Sequence, residues 1–334
     1  MKPRIAYCSL LMQAAVAATY PQFNHGASTT PSVETVFSLP SIPSWFENLA
    51  YRPSTNTIIT TRLDVPQIWS IDPTTHEGTL LANITETSGL IGITQLISSP
   101  DTFIVASANF STFVQPNSSV LWNLTFSEDG SASVTQAAAV PQMGLVNGLA
   151  RWDDRTVLAA DSTMGLIWKV DLDTGEATVA LADPTMAPVE SNGVNGVKVY
   201  RPRDSEETFV YYTSTDQGLL ARVPVSSVTA EKLPADAPVE IIAGGLNPDD
   251  FALLDDGSVY LTTGANNTVV HVALDGGIET VAGSLGDLEL ASSTACQFGP
   301  EGQLYVTTAG GLEGAVNGTL LGPGNVVLVN LGAL

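Results

Sequence analysis

The sequence is short of the residues from which most catalytic centres are built. Its 334 residues include two cysteines and three histidines, and only 12 Lys and Arg stand against 34 Asp and Glu. A formal charge of −22 cannot present the basic face that nucleic acid or an anionic membrane surface requires. It also disfavours an acidic substrate, unless a metal ion or a local basic group offsets the field. The three histidines are scattered: His25 near the N-terminus, His76 in the turn "PTTHEG" and His271 inside a strand pattern. No Gly-x-Ser-x-Gly elbow, His-Glu-x-x-His pair or phosphate-cradling glycine loop is present. "AGGLEG" and "IIAGGLNP" read as turns. Long apolar runs are missing too, so no membrane-spanning segment is expected.

What is present begins with a tripartite leader. Lys2 and Arg4 precede a short apolar stretch, Ile5 to Val16, and "AVAA" supplies small residues for cleavage, so 1–18 reads as a secretory signal peptide. Removing it removes Cys8. Cys296 is then alone, with no disulfide partner in the chain, and the fold must rest on its core. Six Asn-x-Ser/Thr sequons start at Asn83, Asn109, Asn117, Asn123, Asn266 and Asn317, in keeping with a secreted or secretory-lumen glycoprotein. Residues 19–31, "TYPQFNHGASTTP", are polar and turn-rich, and read as a flexible arm.

From residue 32 to 334 helical periodicity is scarce and strand signal abundant. Runs such as "NTIITT", "TFIVASA", "TVLAAD", "TFVYYTS", "SVYLTTG" and "QLYVTTAG" are each followed by a second run and often a third, with Asp-Gly and Thr-Gly turns between. One motif recurs at spacings of 44 to 56 residues, and aligning it places Glu47, Ile91, Asn147, Asn195, Asp249 and Thr294 in one column. Six repeats of four short strands predict an all-β, six-bladed β-propeller. "VETVF" at 33–37 is placed to pair with the last blade near "NVVLVN" at 325–330, closing the ring and leaving no open edge there.

In a propeller the innermost strands line a central channel, so this column converges on one axis. Its Glu, two Asn and Asp offer four oxygen donors of the kind hard divalent cations favour. Ca²⁺, Mg²⁺ or Zn²⁺ are the cations considered for a site made of Glu47, Asn147, Asn195 and Asp249. Each of the last three could equally be a turn residue, since Asn-Gly and Pro-Asp are turn dipeptides; their sharing one column favours a site. Lys198 is one of few lysines and stands three residues past Asn195, where it could donate into the channel or lie solvated at a strand edge. Trp45, Phe46 and Phe251 flank the column, and with Thr294 are assigned to a substrate pocket; the alternative for the aromatics is packing between blades.

These residues carry a resemblance. Over 40–310 the chain resembles the gluconolactonase/regucalcin superfamily of six-bladed propellers, through "FEN" at Glu47, "VNG" at Asn147 and Asn195, and "NPDD" at Asp249. The resemblance implies a divalent metal held by those four residues. The chain departs from the lactonase pattern in having Asn48-Leu49 after the Glu, instead of Gly-Pro, and Asp250 after the Asp, instead of Gly. "WFENLAYRP", "PDDFAL" and "LYVTTAGG" are more similar to a secreted fungal branch of these propellers. That branch includes the hetero-Diels–Alderases, which join a tropolone-derived quinone methide to a terpene alkene.

Three functional classes follow, in this order. The first is a cycloaddition enzyme of fungal secondary metabolism, which needs an apolar pocket and a few donors but no cofactor. The second is a metal-dependent lactonase, with Asp249 or Asp250 as general base. The third is a non-catalytic binding propeller. Either enzyme would act on a small-molecule substrate, and Asp249, Asp250 and Lys198 are the catalytic candidates.

Overall fold

The computed structural model describes residues 31–96, 101–111, 113–225, 238–313 and 321–331. The expected signal peptide, nearly all of the expected arm and Asn317 lie outside them. The described residues form six four-stranded antiparallel sheets arranged in a ring. The chain folds as a six-bladed β-propeller. No helix among the described residues is long and apolar enough to cross a membrane.

The innermost strands of blades one to six are Phe46–Arg52, Gly89–Gln95, Val146–Arg151, Val194–Tyr200, Phe251–Leu253 and Ser293–Phe298. Burial grades outward, which accounts for the composition of each run. Second strands such as Thr156–Asp161 and Thr208–Ser214 are buried along their whole length, because both faces pack on neighbouring blades. A continuous apolar and Thr-rich run is what such a position selects. The outermost strand Glu77–Asn83 of blade one is mostly exposed and correspondingly polar. The core is divided into clusters between blades; one joins Leu158, Ala160 and Ile167 of blade three to Val197, Val210 and Tyr212 of blade four.

Blade six is built from both ends of the described chain. Its three strands Ser293–Phe298, Leu304–Thr308 and Asn325–Asn330 are completed by Ser32–Ser38, with Val33 opposite Val329 and Glu34 opposite Leu328. This is the closure expected from "VETVF" and "NVVLVN". A hydrogen bond from Ser38 Oγ to Asn325 Oδ1 at 2.8 Å adds to the clasp.

Two local devices position the channel. In blades one, two, three, four and six the pairing of the innermost strand slips just where the aligned column falls, between Phe46 and Leu49, Leu90 and Ile93, Val146 and Leu149, Val194 and Val197, and Ser293 and Ala295. Such bulges unpair residues and re-aim them. Hydroxyls then tie neighbouring blades together there: Thr61 donates to Ile91 O at 2.5 Å, Ser162 to Val194 O at 2.7 Å, Thr213 to Asp249 O at 2.6 Å and Thr262 to Thr294 O at 2.9 Å.

Candidate functional site

The channel holds two cavities, lined by successive stretches of the same inner strands. The smaller, about 480 Å³, is lined by the column residues Glu47, Ile91, Asn147, Asn195 and Asp249 together with Trp45. The structure therefore brings the four oxygen-bearing residues of the column into one chamber. The sixth column member, Thr294, is wholly buried and spends its hydroxyl on Phe46 O at 2.8 Å and Thr307 Oγ1 at 3.0 Å. It lines neither cavity.

Among the lining residues that sequence reasoning missed, Glu313 adds a further acid to the chamber. Glu313, on the loop after the second strand of blade six, belongs to an exposed stretch but turns its carboxylate inward against Gly264 and Asp249. It lies outside the repeat column, so the period gave no signal for it. Glu190 stands at the rim, and no Lys, Arg or His is among the lining residues.

Crowding carboxylates in this chamber has an electrostatic cost. Burial, then repulsion from Glu313 and Asp250, pushes Glu47 from 4.5 up to about 8, although Trp45 Nε1 donates to Glu47 Oε2 at 2.5 Å and offsets part of the shift. Asp249 is raised well above the usual carboxylate range, first by burial and then by Glu313, Glu47 and Asp250. Glu313, although exposed to solvent, is also raised by the protein crowded around its carboxyl group, with its hydrogen bond to Asp249 pulling the other way. A proton or a cation must offset charge gathered this way. The side-chain oxygen of Asn195, itself buried, has no hydrogen-bond partner, while its Nδ2 donates to Thr215 Oγ1 at 3.0 Å. Among the described residues, acidic side chains, His and Cys alone do not make a metal-holding group. The amide oxygens of Asn147 and Asn195 complete the donor set, and the orphaned Asn195 oxygen fits it to a hard cation.

The larger cavity, about 820 Å³, is lined by the later residues of the inner strands, among them Leu49, Ile93, Leu149, Lys198 and Leu253. Between the two chambers the strands nearly touch. A Cβ on Gly92 would sit 2.2 Å from Asn147 O, one on Gly148 2.5 Å from Asn195 O, and one on Gly196 2.5 Å from Asp250 Oδ1. Only glycine allows that approach. The two departures from the lactonase pattern meet at this waist. Asn48 of blade one donates through Nδ2 to Asp250 Oδ2 of blade five at 3.0 Å, with blade six between them in the ring. Asp250 Oδ1 also accepts from Lys198 Nζ at 2.6 Å and from the Phe251 N–H at 2.8 Å.

The other assigned pocket residues are placed differently. Phe46 and Phe251 are wholly buried, and each joins a cluster between blades, Phe46 with Leu39 and Ile58, Phe251 with Tyr211 and Leu261. The apolar wall expected of them is interblade packing: the bulge turns Phe46 away from the axis, and Phe251, in regular pairing opposite Leu261, packs between blades four and five. Trp45 belongs to the small chamber, not to a pocket shared with Lys198. Of the sequons, Asn83, Asn117 and Asn266 are exposed and Asn109 is half-buried, while Asn123 lies within the strand Val120–Phe126 with its Oδ1 buried.

No protein-family model matches the chain. Two curated relatives do. A Phoma sp. protein provisionally named hetero-Diels-Alderase is 25% identical over 301 residues, covering 79% of this chain and 83% of its own. A Sarocladium schorii protein of the same provisional name is 22% identical over 249 residues, covering 66% of this chain and 59% of its own. The chain resembles the hetero-Diels–Alderase propellers. Among solved structures, a luciferin-regenerating enzyme shares the propeller with a TM-score of 0.63 and 14% identity, over 90% of this chain and 95% of that one. A Xanthomonas campestris gluconolactonase does so with a TM-score of 0.58 and 13% identity, over 90% of each chain. At such identities the structural likeness speaks for the fold alone. The likeness to hetero-Diels–Alderases in sequence and to the gluconolactonase in fold matches the resemblance carried by "WFENLAYRP" and "PDDFAL".

Proposed function

We propose that the protein is a cyclase of the hetero-Diels–Alderase type and that the larger chamber is its reaction vessel. The observation that carries this is the Lys198 ammonium, fixed by Asp250 at 2.6 Å and 5.3 Å above the Phe251 ring, on the wall of a cavity where aliphatic side chains such as Leu49, Ile93 and Leu149 alternate with polar ones such as Gln95, Arg151 and Gln297. A volume of about 820 Å³ admits two apolar partners of moderate size side by side. An ammonium has three N–H donors, and Asp250 takes one. Another donates to the carbonyl oxygen of the heterodiene, here a tropolone-derived quinone methide, and draws electron density from it. The alkene of a terpene then adds across the diene, forming one C–O and one C–C bond. No group leaves, and water takes no part. The protein contributes proximity, orientation and one fixed donor.

A second reading rests on the small chamber. Glu47, Asn147, Asn195 and Asp249 would hold a divalent cation, which when bound would polarise a lactone carbonyl and lower the pKa of a bound water. The waist of Asn48, Asp250 and the glycine column argues that chemistry there would be separate from Lys198. The two readings part in one assay. Purified protein is offered a quinone methide generated in situ with a terpene alkene, and separately an aldonolactone with and without added Ca²⁺. Faster and stereoselective cycloadduct formation supports the cyclase; cation-dependent lactone hydrolysis without it supports the alternative.

A further inference from the structure

The chain is strongly acidic, yet the large chamber gathers cations. Of the 12 Lys and Arg in the sequence, Lys198 and Arg151 line it, while among the described residues none lines the small one. We propose that Arg151 is a specificity residue of the large chamber, holding an ionised oxygen acid, a carboxylate or enolate, carried by one of the two cycloaddition partners. This rests on the reading of that chamber as the reaction vessel, and adds to it a class of substrate and the residue that selects it.

Strand register places the two cations. After the bulge, pairing resumes in blade three at Leu149, opposite Ala159, and in blade four at Val197, opposite Tyr212. Lys198 is thus the second paired residue of its strand and Arg151 the third of its own, one step further from the waist on the adjacent blade. Tyr51 and Gln95 are the third paired residues of blades one and two, and they line the cavity as well. Exposed Pro53 and Glu301 mark the rim beyond them. Arg151 therefore stands between the rim and the depth of Lys198, where an entering substrate passes. It is half-buried and held in place, its Nη1 donating to Gln95 O of the neighbouring blade at 3.1 Å.

A guanidinium presents its donors in a planar fork that fits the two oxygens of a carboxylate, as a point-like ammonium does not. A formal charge of −22 repels an acid unless a local basic group offsets the field. Asp250, at 2.6 Å, neutralises Lys198, which makes Arg151 the better match for a charge on the substrate. Glu301, the acid among the lining residues, is exposed on the rim turn Pro300–Gly302. The two cations then divide the work: Lys198 polarises the reacting carbonyl, and Arg151 decides which end of the substrate faces the waist.

The test uses the full-length protein, with benzoate and its neutral analogue benzamide as probes followed by calorimetry. Wild type should bind benzoate about 10–100-fold more tightly than benzamide, the range of hydrogen bonds to a charged group. Arg151→Gln should lose that preference, and Arg151→Lys should keep part of it, which preserves the comparison if the glutamine variant melts early. In cycloaddition, Arg151→Gln should raise KM more for an acid-bearing partner than for its methyl ester, with turnover at saturation falling far less than in Lys198→Met. A preference for benzoate that survives in Arg151→Gln, or that wild type never shows, overturns the proposal. A preference that Arg151→Gln abolishes, in a protein whose wild type forms no cycloadduct, supports the acid site and overturns the cyclase reading instead.

Discussion

Replacing Lys198 with Met removes the donor on which the cyclase mechanism depends, and the structure separates its effect on folding from its effect on rate. The Lys198 side chain is 21% exposed and that of Asp250 only 3%, so the substitution strands a buried carboxylate. Losing one partner of a buried pair costs about 3–5 kcal/mol. Asp250 retains Asn48 Nδ2 and the Phe251 N–H, which puts the cost near the lower figure. At about 2–4 °C per kcal/mol for a large domain, the melting temperature should fall by roughly 6 °C or more. Adding Asp250→Asn removes the stranded charge, and the double variant should melt several degrees above Lys198→Met. The rate should not follow. Loss of a fixed donor to a developing charge costs about 10²–10³ in turnover, and neither variant restores it. The assay is cycloadduct formation at saturating diene and alkene, alongside thermal melts of the wild type and the two variants. A double variant that recovers stability and turnover together would refute the role given to Lys198, since it would show the residue to be structural.

Three further outcomes are expected. Gly148→Ala forces a Cβ to within 2.5 Å of Asn195 O and 2.8 Å of Val197 N, both backbone atoms that cannot swing away, so thermal melts should show a loss of about 1–3 kcal/mol or more. Deleting 32–38 exposes the edge of Asn325–Asn330, and light scattering should detect aggregation with a lowered melting temperature; an unchanged melt would contradict the closure. Cation-free protein should lose stability as pH rises from about 5 to 8. Glu47, buried and raised to about 8, still holds a proton there that the unfolded chain has released, so rising pH favours unfolding. Melts across that range should show the decline, and added Ca²⁺ should reverse it.

The propeller was legible because its signal is repeated six times: a column of Glu47, Ile91, Asn147, Asn195, Asp249 and Thr294 is hard to produce except by one structural position recurring around an axis. Four of the six face the small chamber through side-chain oxygens. The period could not say which neighbours of the column face the axis too. The bulge in blade one breaks the two-residue alternation from which facing is ordinarily inferred, so Phe46 points into interblade packing and Asn48 towards the waist; Phe251, in a strand without a bulge, also packs between blades. Asn48 and Asp250 were visible as departures from a lactonase pattern, but a hydrogen bond between residues 202 apart has no local trace. Glu313 is a loop residue outside the repeat, and only the fold brings it to Asp249.

The partition of the channel is the centre of this account, and one measurement meets it directly: the initial rate of cycloadduct formation by protein stripped of metal with a chelator and verified as metal-free. With Lys198 in the large chamber and the carboxylate ring beyond the waist, the stripped protein should keep most of its rate, and added Ca²⁺ should change its melting temperature more than its turnover. A rate that vanishes on chelation and returns with Ca²⁺ would contradict the account, because it would place the reacting groups at the ring.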